Sequence, residues 1–290
     1  ICYGLSGGVA ALICRLFSKN PFSVLAFSTV ISINPVMIER SFRHTSLASQ
    51  FLILSALYLY LLSKRGVRKW LFYPLLLVLS VTIHFYFVPM VFLIMSADII
   101  DDAVKNKGWL KKLGFLLINI LIVPAVAALI GYFYTSTVQY GELAYGFFTM
   151  NLNSLFNPVS VSNLKWSAIL PPLGQGLGSA EGFNYLGLGI LIGSVLLGIF
   201  ILFGKRKKEL LSMLRRHWIL AVISFMLTVF AVSTTVVANN TAFLRISLPY
   251  KLLKLLSIFR SSGRLFWPVY YLIMITVFAL SNKIFNVKKT

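Results

Sequence analysis

The chain has 290 residues, of which 58% are hydrophobic and only 12% charged. A soluble domain carries roughly twice that charged fraction, so a water-soluble enzyme or binding module is excluded. The net charge of +20 is dispersed over short loops between apolar runs rather than gathered on one soluble face, which argues against nucleic acid as a partner.

Several apolar stretches reach the ~18 to 20 residues needed to cross a bilayer, and the pattern predicts an all-α, polytopic transmembrane helix bundle. Ile1 lies inside an apolar run, which reads as a fragment lacking its upstream part, with residues 1–290 as a single transmembrane domain. Residues 1–17, 21–37 and 46–62 are expected as the first spans, separated by Arg15 and Lys19 and then by Glu39, Arg40, Arg43 and His44. Residues 71–97 are too long for one ordinary span and short for two. His84 and Pro89 in "VTIHFYFVPM" suggest a kinked hairpin or two half-helices that leave and re-enter on one side. Residues 112–131 cross next, followed by a long loop, 132–183, with no clear span. Spans at 184–204, 218–237 and about 265–281 bring the expected number to eight or nine.

Alternating these spans puts nineteen of the 27 Lys and Arg residues on one side and eight on the other. The positive-inside rule makes the richer side cytoplasmic, in a multi-pass protein of the cytoplasmic (inner) membrane. Residues 132–183 and 238–264 are then external.

Five of the eight external cations fall in 238–264. "PYKLLKLLSIFR" separates Lys251 and Lys254 from a leucine-rich face, as in an amphipathic helix lying in the interface. Ser261 and Ser262 are placed to cap the last span, and Arg260 and Arg264 flank that cap. Two hydroxyls, two guanidinium groups and a helix N-terminus suit a lipid phosphate; the same cations also suit general headgroup anchoring. "IERSFRHTSLAS" supplies a second group, in which Arg40, Arg43 and His44 are candidates for acceptor or diphosphate binding and Glu39 for fixing an arginine. An interfacial ion-pair cluster is the plainer alternative. His84, between aromatics, is either functional or a helix-to-helix hydrogen bonder. In the long loop Trp166, Gln175, Glu181, Asn184 and Tyr185 suit a sugar-binding surface, or equally a packed outer cap. External carboxylates are confined to Glu39, Glu142 and Glu181, so a general base within the sequence comes from these or from His44 or His84. Cys2 and Cys14 have no metal spacing and read as packing residues. Neither a P-loop nor an HExxH or CxxC motif is present.

The segments "ERSFRHTSLASQFLILSALYLYL" (39–61), "IHFYFVPMVFLIMSADIID" (83–101), "EGFNYLGLGILI" (181–192) and "FRSSGRLFWPVYYLIMI" (259–275) carry a resemblance. They resemble an uncharacterised family of bacterial multi-pass membrane proteins grouped with the C-type (GT-C) glycosyltransferases. The resemblance implies a membrane enzyme that transfers a sugar from a polyprenyl-phosphate donor to a glycan or lipid acceptor, among membrane lipids, for cell-envelope assembly. It implies a key Asp or Glu in a first external loop, upstream of this sequence, which leaves Glu181, Glu39 and His44 as weak catalytic candidates. A divalent metal is compatible with that chemistry, although no ligand cluster is visible. The alternative function is a polytopic transporter or lipid flippase without covalent chemistry.

Overall fold

The computed structural model describes residues 1–134, 145–160, 162–176, 178–204 and 207–286, with the side chains of 284–286 set aside. Glu142, Lys288 and Lys289 lie outside the described residues, as do Lys205 and Arg206.

The chain is mainly helical. In order, it forms α1 (Cys2–Arg15), α2 (Pro21–Ser32), α3 (Pro35–Arg43), α4 (Phe51–Ser63), α5 (Phe72–Ile83), α6 (Phe87–Lys105) and α7 (Trp109–Leu129). After the long loop come α8 (Leu188–Phe203), α9 (Lys207–Arg216) and α10 (Trp218–Val232), a hairpin of β1 (Thr235–Ala238) and β2 (Thr241–Arg245), then α11 (Tyr250–Leu256) and α12 (Trp267–Asn286).

The expectation of eight or nine spans is not met. Among the described residues three helices are long and apolar enough to cross a membrane, Thr45–Ser63, Trp109–Leu129 and Ser262–Lys283, or up to five if α2 with α3 and α8 with α9 each count as one. α1, α5 and α10 have 14, 12 and 15 residues, which at ~1.5 Å per residue fall short of a ~30 Å hydrocarbon core. The breaks have local causes. Asn34 accepts from the Met37 amide at 2.9 Å and Pro35 opens α3, so the apolar run 21–37 is cut by an N-cap and an N1 proline, with a bend of 41°. α10 stops at Ser233, which has φ 68°, and the residues beyond it enter the antiparallel hairpin. The hairpin itself was not expected in an all-α fold.

α4 and α6 form the centre, with Leu52, Ile53, Leu57, Met90, Val91 and Ile94 fully buried. α7 differs: only 17% of its apolar stretch is buried, against 61% for Thr45–Ser63. Leu113, Leu117, Ile118 and Leu121 are exposed. An apolar surface of that extent belongs in lipid rather than water.

α5 and α6 pack on each other, and both ends of the pair meet the same charged loops, through Arg68–Asp102 at 2.6 Å and Lys64–Asp101 at 2.6 Å. The outer ends of the pair therefore lie together, as a hairpin across 71–97 places them. At the opposite end the long loop forms a packed cap. Asn151 and Asn153 bond Asn239 in the hairpin turn, and Asn157 bonds Leu173. The two ends of the bundle thus carry different chemistry.

Candidate functional site

The capped start of α3 aims its inner face at the bundle. Asn34 also donates to Ile31 O at 2.7 Å and to the Tyr271 hydroxyl at 3.1 Å, and Tyr271 donates to Gln50. The break is therefore tied to α12 and to the start of α4, and Val36, Met37, Glu39 and Arg40 are turned inward. Arg40 is fully buried.

Its partner comes from the cap. A short 3-10 turn, Ser179–Gly182, follows Gly178, which has φ 78°. Arg40 Nη1 donates to Glu181 Oε2 at 2.7 Å and Nη2 to the Glu181 carbonyl at 2.7 Å. Arg264 Nη2 meets the same Oε2 at 2.7 Å. Two glycines make this meeting possible. A Cβ on Gly263 would lie 2.6 Å from Gly182 Cα and 3.0 Å from Met150 N. One on Gly182 would lie 2.4 Å from Thr149 O. Three backbones cross there closer than any side chain permits, which brings Glu181 and Arg264, each next to one of these glycines, together.

Burial by itself would push the Glu181 carboxyl up, but the guanidinium groups of Arg40 and Arg264 hold it down at about 2. One carboxylate thus meets two buried cations directly; Glu39 acts on Arg40 from further off, but it is itself matched by Arg43. Arg40 Nε and Arg264 Nε have no hydrogen-bond partner among the described residues. The aromatic faces of Trp267, 6.0 Å from Arg40, and Tyr86, 5.2 Å from Arg264, offset part of the charge. A net positive charge remains in a poorly solvated place, where an anion would be strongly favoured. His44 lies at the exposed edge, and burial and then the charge of Arg264 lower its pKa. His84 Nδ1 accepts from the Tyr86 amide at 3.3 Å.

The structure divides the phosphate group expected from the sequence. Arg264 is buried in the triad, whereas Arg260 is exposed, with its guanidinium 5.8 Å from the Phe148 ring. Their four-residue spacing does not put them on one face, because the chain between them breaks at Ser261 and resumes as the 3-10 turn Ser262–Phe266. Lys251 and Lys254 are exposed on α11, a helix of seven residues. Ser261 and Ser262 do not cap through their side chains. The Ser261 amide donates to the Tyr86 hydroxyl at 2.8 Å, and the Ser262 hydroxyl donates to the Phe148 and Ala231 carbonyls.

The other candidates separate similarly. Glu39 accepts from the amide of Ser162 at 3.0 Å and from its hydroxyl, with Arg43 Nε at 3.7 Å, so it ties α3 to the cap. Asn184 is fully buried and donates to Gly182 O and Gly263 O, bracing the glycine crossing. Tyr185 is buried too, and its carbonyl accepts from Tyr270. These two are bracing residues rather than an open sugar-binding surface. Gln175 bonds Val159 O within the cap. Among the described residues no three His, Cys, Asp or Glu side chains gather as a metal site.

Sequence reasoning overlooked Asp98, Asp101 and Asp102. In "ADIIDDAVK" their i, i+3, i+4 spacing places three carboxylates on one face of α6. The structure pairs Asp101 with Lys64 and Lys105, and Asp102 with Arg68 and Lys112. Tyr73 donates to Asp98 at 3.1 Å. A crevice of about 1040 Å³ also lies at this end, away from the triad.

The chain belongs to the family described as Domain of unknown function (DUF6311), which matches it over residues 1–289. No curated protein and no solved structure matches the chain.

Proposed function

We propose that the triad end binds the phosphate of a lipid-linked substrate, and that the protein transfers a sugar from a polyprenyl-phosphate donor at the outer face of the cytoplasmic membrane, in cell-envelope polysaccharide or glycolipid assembly. The carrying observation is the charge imbalance: with Arg43, three cations stand against Glu39 and Glu181, and Arg40 and Arg264, both buried, share Oε2 of Glu181 while their Nε groups lack a hydrogen-bond partner among the described residues. The sugar and its acceptor rest on the resemblance of the motif segments to C-type glycosyltransferases.

In such a transfer the acceptor hydroxyl attacks the anomeric carbon, the bond from that carbon to the phosphate oxygen breaks, and the phosphate leaves with the electron pair. Arg264 and Arg40 offset the charge that develops on the leaving oxygen. Glu181, held at about 2, is too weak a base to take the acceptor proton. Glu39 is committed to Ser162 and Arg43. By the resemblance, the acceptor proton goes to a carboxylate of a first external loop rather than to Glu39 or Glu181.

The test uses the protein in vesicles with a labelled polyprenyl-phosphate sugar. Arg264→Ala is expected to lower donor binding and transfer by about 10²–10³, and Arg264→Lys by less, since it keeps the charge but loses the fork. Arg260→Ala should change both by less than about threefold, in keeping with its exposure. Undiminished donor binding by a folded Arg264→Ala variant overturns the phosphate role. Movement of the donor across the bilayer with no covalent product replaces transfer with translocation.

A further inference from the structure

The crevice at the aspartate end is separate from the triad and independent of the sugar-transfer reading. Its wall runs along α8, α10 and α12, with Leu197, Ile201, Leu220 and Leu272 among its lining. The hydroxyls of Ser194 and Ser224 are turned back onto Ile190 O and Leu220 O of their own helices, which leaves the wall mainly apolar. Gly198 also lines it, and a Cβ there meets nothing within 4 Å.

The mouth is cationic. Arg65, Arg216, Lys283 and Glu209 line it, and Glu209 is paired with Lys283 at 3.3 Å. Arg65 donates to Leu16 O and Arg216 to Lys64 O at 2.8 Å, so both guanidinium groups rest on backbone carbonyls. Neither meets a carboxylate within 4.0 Å among the described residues. Deeper in, the Tyr60 hydroxyl and His217 Nδ1 satisfy each other at 2.9 Å. A volume of about 1040 Å³ lies at the upper end of small-molecule sites, which run from roughly 300 to 1,000 Å³.

We propose that this crevice holds one anionic phospholipid, with its acyl chain along the apolar wall and its phosphate at the Arg65–Arg216 mouth. Charge complementarity selects the occupant. A zwitterionic lipid fills the wall equally well, but its own ammonium cancels its phosphate and leaves the two arginines without a net counter-charge.

The test is native mass spectrometry of the full chain released from detergent after exchange into an equal mixture of phosphatidylglycerol and phosphatidylcholine. Wild type should retain phosphatidylglycerol by about tenfold or more, given ~1 kcal/mol per basic residue at a lipid surface. R65A/R216A should retain the two lipids equally. R65K/R216K, which loses the carbonyl contacts but keeps the charge, should preserve most of the preference and so separate charge from folding. Gly198→Leu should reduce retention of both lipids. Equal retention by wild type, an undiminished preference in R65A/R216A, or unchanged retention in Gly198→Leu overturns the proposal.

Discussion

The two ends of the bundle both concentrate charge, yet they do it in opposite ways. At the aspartate end Asp101 and Asp102 each take two cations, with Lys64 and Lys105 sharing Asp101 Oδ2, and one cation of each pair, Lys105 or Arg68, has 52% of its side chain exposed. Lys112 is further satisfied by the carbonyls of Asp102, Asn106 and Lys107, which closes the turn into α7. Burial would raise Asp101 and Asp102, but their lysine and arginine partners hold both below the usual carboxylate range. At the triad end two buried guanidinium groups compete for one oxygen. The first fastens loops, and each of its two carboxylates keeps one partner that water can reach. In the second neither cation reaches water, and both Nε groups lack a hydrogen-bond partner among the described residues. Counting ion pairs does not separate them; the burial of both cations on the shared oxygen does.

The contrast breaks most visibly on removing the acids. Glu181→Ala leaves two buried cations facing each other and should cost about 3–5 kcal/mol in thermal unfolding in detergent. Asp102→Asn should cost only about 1 kcal/mol, because Lys112 keeps three carbonyl partners and Arg68 can turn to water. Equal losses would dissolve the distinction. Next in size, Gly263→Ala sets a Cβ 2.6 Å from Gly182 Cα, a backbone clash expected to cost about 1–3 kcal/mol and to loosen the Glu181–Arg264 pair.

A pH titration sharpens the comparison. Glu181 is depressed from its ordinary 4.5 to about 2, so its share of stability is present above pH 4.5 and is lost as pH falls toward 2. Glu181→Gln should flatten that acid limb, while the contribution of Asp101 and Asp102, which has the same sign, persists. The smallest expected effect is on His44, which Arg264 holds low. Phosphate bound at the triad offsets that charge and should move the His44 titration upward by NMR. No movement at saturating ligand would place the anion elsewhere. Arg260→Ala should leave His44 unchanged and alter stability by no more than about 0.5 kcal/mol.

Much of the outline was legible in the sequence. Composition identified the membrane, and α4, α7 and the last span follow from apolar runs bounded by charge. A hairpin across 71–97 was one of the two readings of His84 and Pro89 between the basic loops. The long loop was legible as a loop, with a packed cap as one of two readings; the hairpin that joins it was not, since β1 and β2 are four and five residues long. The number of spans was overcounted because apolar runs were treated as continuous across Asn34–Pro35 and Ser233, where caps and turns cut them.

The site was half legible. Arg40, Arg264 and Glu181 were each singled out, but Arg264 was grouped with Arg260, its neighbour in sequence, and Arg40 with Arg43. Charge and hydropathy act along the chain, so the sequence alone determines which residues are apolar enough for lipid and which loops carry cations. Which arginine is buried is a property of packing. It follows from two glycines that let distant backbones touch and from an asparagine cap that turns α3 inward, and those contacts exist only once the helices have assembled.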